Sequence, residues 1–126
     1  MGIWGIILLV VLVMCTVMIG FGLYFSLVGP KKINFVFGYR TPMSMKNIET
    51  WKFGNVYAGN YMWRSGVILL IGSLITLFAI MNSSETVIRN AGLIIIVAHA
   101  VMIFGTILLT EIALRRNFDR NGNRKG

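Results

Sequence analysis

From Ile3 to Val28 the chain runs for 26 residues without a charge. At about 1.5 Å of helical rise per residue, roughly 20 residues cross the hydrocarbon core of a bilayer, so this stretch predicts a tilted transmembrane helix. Gly29-Pro30 ends it, because proline lacks the N–H that a continuing helix needs. A second apolar stretch runs from about Ser65 to Met81, with the interfacial aromatics Tyr61 and Trp63 just before it. Asn82 to Asn90 is a short polar loop, Ala91 to Leu114 is the third stretch, and RRNFDRNGNRKG follows. The pattern predicts one all-α, three-span membrane domain, with spans at about 3–28, 65–81 and 91–114, a polar connection at 29–64 and a tail at 115–126. The first stretch lacks a basic leader and a small-x-small cleavage site, so it is expected to stay as a span rather than act as a signal peptide.

The connection has a pattern of its own. Gly38-Tyr39-Arg40-Thr41-Pro42 is turn-like, since Pro42 biases Thr41 away from the helical region. Ser44 is then a suitable N-cap for a helix over 45–62. At 100° per residue Ile48, Trp51, Asn55, Ala58 and Met62 share one face, and Lys46, Glu49, Lys52 and Asn60 lie roughly opposite. This predicts an amphipathic helix lying at the membrane interface between the first and second spans, its charges toward the headgroups.

Small residues recur by sevens along the spans: Cys15, Gly22 and Gly29; Ser65 and Gly72, with Gly66 and Ser73; Gly92, His99, Thr106 and Ala113. Such stripes let helix backbones approach closely, which suits a bilayer where apolar burial does not drive association. They predict a three-helix bundle and would serve a homodimer equally well. Within the third stripe His99 lies about 12 Å into the span by helical rise. It reads either as a proton-relay or ligand group, or as a neutral imidazole bonded to a Ser or Thr of a neighbouring span. The lack of a carboxylate at matching depth favours the second. Glu111, nearer the end of that span, has two candidate partners: Arg115 one turn on, or Arg40 of the connection.

Composition adds charge to this outline. The residues are 56% hydrophobic and 13% charged, with a formal charge of +8, against about 25% charged in a soluble domain. Eleven of the twelve Lys and Arg residues fall in the connection or the tail, and only Arg89 lies on the other side. The positive-inside rule therefore predicts an external N-terminus and a cytoplasmic tail. The natural partner for these cations is a bilayer with anionic headgroups, and nucleic-acid binding is not expected so close to the membrane. A single cysteine, Cys15, excludes an internal disulfide and reads as a small packing residue. With one His and four acids scattered along the chain, there is no Ser/His/Asp set, metal-ligand cluster or phosphate-cradling loop. The sequence predicts neither an enzyme nor a cofactor.

Gly38, Tyr39, Arg40, Thr41 and Pro42, followed by Ser44, Lys46-Asn47, Trp51 and Asn55, closely resemble the signature of the SdpI/YfhL family. The family pattern runs roughly G-Y-R-T-P-x-S-x-K-N-x-x-x-W-x-x-x-N, and the likeness extends through Ala58-Gly59 and the two spans that follow. Named members of this family are small bacterial membrane proteins that give immunity to a secreted sporulation-delaying peptide toxin. The resemblance therefore implies a multi-pass protein of the bacterial cytoplasmic membrane with a peptide toxin as its partner, and no catalytic role for the motif. The best-known member has further spans ahead of this domain and also draws a repressor to the membrane, whereas this chain carries the three-span unit.

Physically, Arg40 can bind a carboxylate or phosphate through two hydrogen bonds, or tie the connection to helix ends or to Glu111. Trp51 and Asn55, one turn apart, can close a pocket with Tyr39. Two alternatives stand beside immunity. One is a small transporter or accessory subunit handling a lipid or anionic amphiphile, with Arg40 on the headgroup. The other is a receptor that recruits a cytoplasmic regulator to the basic face.

Overall fold

A computed structural model describes residues 2–125. Three helices account for most of them: α1 (Ile3–Leu27), α2 (Ile48–Ala79) and α3 (Glu85–Asn117), with no strand among the described residues. All three are long and apolar enough to cross a membrane. This bears out the all-helical, three-span architecture, and most side chains on the apolar stretches face outward, where lipid would cover them.

The helix expected as a separate interfacial element is instead the first half of α2. Nothing between Met62 and Ser65 breaks the helix, so it runs for 32 residues from the connection into the span. Its start also differs from expectation. Asn47, not Ser44, is the N-cap: its side chain accepts from the Thr50 amide at 2.9 Å, and the Thr50 hydroxyl accepts from the Asn47 amide at 3.1 Å. This reciprocal capping box satisfies two donors that a helix end would otherwise leave open. The face carrying Trp51, Asn55 and Ala58 is buried against protein rather than bilayer, because the connection folds back over it.

α1 packs chiefly on α2, and α3 joins mainly through α2. The small-residue stripes explain how closely. A Cβ added at Gly59 would sit 2.6 Å from the Gly22 carbonyl oxygen and 2.6 Å from the Ser26 amide nitrogen, and one added at Gly22 would collide with the Trp63 backbone. Gly66 lies against Met18 and Ile19, and Gly92 against Ile7. At the opposite end of α1, the Trp4 indole N–H donates to the Leu77 carbonyl at 2.7 Å. Gly92, His99, Thr106 and Ala113 are all buried, whereas Gly72 of the second stripe faces outward with nothing nearby. Two apolar clusters result: Val11, Cys15, Met18, Leu69, Leu77 and Ile95 within the spans, and Tyr39, Met43, Ala58, Leu114 and Phe118 at the basic end.

Candidate functional site

The polar connection closes the basic end of the bundle as a cap, and side chains of the Gly-Tyr-Arg-Thr-Pro stretch and the α2 start hold it there. Gly38 has φ of +113°, a region that side-chain-bearing residues rarely adopt. Space excludes a side chain as well: a Cβ would lie 2.8 Å from Asn55 Oδ1, 2.9 Å from Pro30 Cγ and 3.1 Å from the Trp51 ring. Trp51, fully buried, donates its indole N–H to the Pro30 carbonyl at 2.8 Å and so fixes the point where the chain leaves α1. Asn55, also buried, accepts from the Tyr39 amide at 2.8 Å and donates to the Trp51 carbonyl at 2.9 Å. A buried amide with both ends satisfied fixes one arrangement of the loop.

Beyond Gly38 the turn is self-bonded. The Thr41 amide donates to Ser44 Oγ at 2.8 Å, and the Ser44 amide donates to Thr41 Oγ1 at 3.1 Å. Ser44 Oγ lies 3.0 Å from the Tyr39 carbonyl, and the Thr50 hydroxyl lies 3.0 Å from the Ser44 carbonyl, which links the turn to α2. Ser44 therefore organises the turn rather than the helix end. Asn47 uses its remaining amide hydrogens on the tail, donating to the Gly122 carbonyl at 2.7 Å.

Tyr39 carries the cap across to α3. Its phenol donates to Glu111 Oε1 at 2.7 Å, with the Ile107 carbonyl 3.2 Å away. Burial, and then the Glu111 carboxylate accepting that proton, push the Tyr39 phenol well above its ordinary range. Glu111 thus pairs with a phenol, and neither Arg115 nor Arg40 forms an ion pair with it among the described residues. Arg40 is exposed, and its guanidinium donates to the Phe35 carbonyl within the loop. Pro42 is exposed as well. Asn55 meets Tyr39 through the Tyr39 amide and the Trp51 ring lies against Gly38, but neither lines the small cavity of about 160 Å³ beside Tyr39, which is formed with Phe25, Ala58, Met62 and Ile107.

His99 is fully buried and its hydrogen-bond partner in a neighbouring span is Cys15 rather than a Ser or Thr. Its Nδ1 lies 2.9 Å from the Ile95 carbonyl, which can only accept, so Nδ1 carries the proton. In the neutral imidazole Nε2, 3.3 Å from Cys15 Sγ, is then the acceptor for the thiol. No group of three or more His, Cys, Asp or Glu side chains is placed to hold a metal among the described residues.

Several partners were invisible to motif reading. Pro30 and Thr50 contribute through a carbonyl and a hydroxyl, groups found throughout any sequence. The tail is the larger surprise. Phe118 is buried against Met43, Leu114 and Phe53, and the chain turns at Asp119–Gly122 so that Arg124 pairs with Glu49 at 2.7 Å. Asn121-Gly122, a strong turn dipeptide, is the sequence signal for that fold-back.

The loop also presents its own apolar tip. Phe35 and Val36 are 84% and 86% exposed, while Phe37 packs on Phe21, Tyr24 and Phe25 of α1. Beside Phe37, an open groove of about 540 Å³ runs along the outward face of α1 past Thr16, Gly20 and Phe21.

A family model described as the SdpI/YfhL protein family matches residues 31–110, which include the whole cap motif, α2 and most of α3. A Bacillus subtilis (strain 168) protein described as uncharacterised protein YfhL is 34% identical over 106 residues, covering 83% of this chain and 86% of that protein. No solved structure matches the chain.

Proposed function

Because the chain belongs to the SdpI/YfhL protein family, we propose that it protects a bacterial cytoplasmic membrane against a membrane-active peptide toxin. The family match over the complete cap motif is the observation that carries this reading. Protection here is binding or shielding, not catalysis, with the N-terminus outside and the tail in the cytoplasm.

Such a toxin arrives from outside, whereas the cap lies at the basic, cytoplasm-facing end. The inward bonding of Gly38, Tyr39, Thr41, Ser44, Asn47, Trp51 and Asn55 supports a division of labour. In it the motif shapes the bundle, and the outward faces of the spans meet the peptide. The groove along α1 at Gly20 and Phe21 is bilayer-facing surface of the kind an amphipathic peptide would encounter.

The test is survival of a toxin-sensitive bacterium expressing the protein and challenged with a sporulation-delaying-type peptide. Wild type is expected to protect. At matched membrane levels Arg40→Ala is expected to protect equally, since among the described residues its side chain bonds within the exposed loop, while Trp51→Ala loses protection with the fold of the cap. Unchanged sensitivity in cells with abundant wild-type protein overturns the proposal.

A further inference from the structure

The tail and the connection together form a cleft that the protective reading does not use. The tail turns because the Gly122 amide donates to the Asp119 carbonyl at 3.0 Å and the Asp119 amide donates to the Asn123 carbonyl at 2.8 Å. Gly122 has φ of +83°, and a Cβ there would strike Asn47 Nδ2 at 2.6 Å, so glycine lets the turn lie flat on the α2 start. The Lys125 amide then bonds back to the Asn117 carbonyl at 2.9 Å, which completes a wall opposite residues 42–46. The space between is about 460 Å³, within the range of small-ligand pockets.

Its charge is one-sided. Lys46, Arg115, Arg120 and Lys125 line it, against a single acid, Asp119. Asp119 Oδ1 is already engaged by the Asn121 and Asn123 amides, each at 2.9 Å, as part of the turn. Among the described residues the ion pair is Arg124–Glu49, and no Asp or Glu of those residues pairs with any of the four cleft cations. Lys125 Nζ donates to the Arg115 carbonyl at 2.9 Å, and an ammonium carries two further donors. Cations drawn from three separate segments repel one another, and an anion in the cleft would relieve that repulsion.

The rest of the lining identifies the anion. Guanidinium groups such as Arg115 and Arg120 match the paired oxygens of a phosphate. Met43 and Phe118 supply an apolar wall beside them. Arg115 directly follows the apolar stretch that ends at Leu114, which places the cleft at headgroup level. Basic pockets at that depth between or beside spanning helices suit anionic lipid headgroups.

We propose that this cleft, formed by Lys46, Arg115, Arg120 and Lys125 where the tail folds onto the connection, is a binding site for a phosphate ester. Its source is either an anionic phospholipid headgroup or a soluble phosphate compound. The site stands apart from the protective activity, and failure of either leaves the other intact.

The full-length protein in mild detergent, titrated with phosphatidylglycerol or phosphatidylcholine and followed by native mass spectrometry, tests it. Wild type is expected to retain one phosphatidylglycerol, and Arg115→Gln/Arg120→Gln to bind it at least about tenfold more weakly, as loss of charge-assisted hydrogen bonds predicts. Lys31→Gln/Lys32→Gln removes the same charge from the exposed loop and is expected to bind as wild type does. Lys46→Gln, a milder change outside α3, is expected to weaken binding too and guards against misfolding of the double variant, with unchanged thermal unfolding as the check. Glycerol 3-phosphate that displaces the lipid assigns the cleft to soluble phosphate esters, and failure to displace assigns it to the lipid. Equal retention of both lipids with no competition by the soluble ester overturns the proposal, as does equal weakening in the cleft and loop variants.

Discussion

Gly38 and Tyr39 show how adjacent residues can be fixed for unrelated reasons. Gly38 is set by backbone angle and by crowding from Asn55, Pro30 and Trp51. Gly38→Ala is expected to destabilise by about 2–6 kcal/mol, the sum of a left-handed strain and an overpacked contact. A lowered midpoint of thermal unfolding in detergent is the readout, and an unchanged midpoint would mean that the turn tolerates a side chain. Tyr39 is set by its hydroxyl. The folded phenol titrates above its ordinary value, while an unfolded one titrates near pH 10. Stability from this group is therefore complete below about pH 10 and is lost as pH rises through the folded pKa. Tyr39→Phe should cost about 1–3 kcal/mol at neutral pH, because Glu111 loses its donor. It should also flatten the alkaline loss of stability, measured as unfolding midpoint against pH.

At the scale of elements, the decisive feature is that α1 and α2 touch backbone to backbone. Gly59 faces rigid main-chain atoms of α1, while Gly72, a residue of the same helix, faces outward with no atom within 4 Å. Gly59→Ala is expected to push the helices apart at a cost of about 1–3 kcal/mol. Gly72→Ala should be neutral or stabilising by up to about 1 kcal/mol, since alanine is the better helix former. Unfolding in detergent micelles separates the two, and equal effects would contradict the helix pairing. The continuity of α2 follows from the same contact. Gly54, Gly59 and Gly66 each weaken an isolated helix, yet all three are buried against partners that keep them helical.

Over the whole molecule, two kinds of apolar packing coexist. The cluster around Cys15 and Leu77 lies within the spans, where lipid is as apolar as the interior and close packing rather than water exclusion holds helices together. The cluster around Phe118 lies at the basic end and gains from removing apolar surface from water. Phe118→Ala is expected to cost about 3–5 kcal/mol and to release the tail. Faster trypsin cleavage after Arg120 and Arg124 measures this, and cleavage at the wild-type rate would show that Phe118 does not anchor the tail.

The sequence by itself determined the three spanning helices, because long apolar runs have no other stable arrangement in a bilayer than a helix that satisfies its own backbone. The ordered motif from Gly38 to Asn55 likewise announced the family, and the small-residue spacing announced close helix contact. Choosing among partners fell to the tertiary structure. The sequence offered Glu111 Arg115 or Arg40, and the fold of the connection placed the Tyr39 phenol 2.7 Å from it instead. His99 was expected to bond a Ser or Thr of a neighbouring span, and the α1–α3 register selected Cys15 instead. The interfacial helix merged into α2, and the tail left solvent for the cap, because both depend on contacts between segments far apart in the chain. Periodicity and composition act over a few turns of helix. Partner choice is settled by which distant surfaces can pack while leaving few buried polar groups unmatched; among the described side chains Thr110 Oγ1 is the exception.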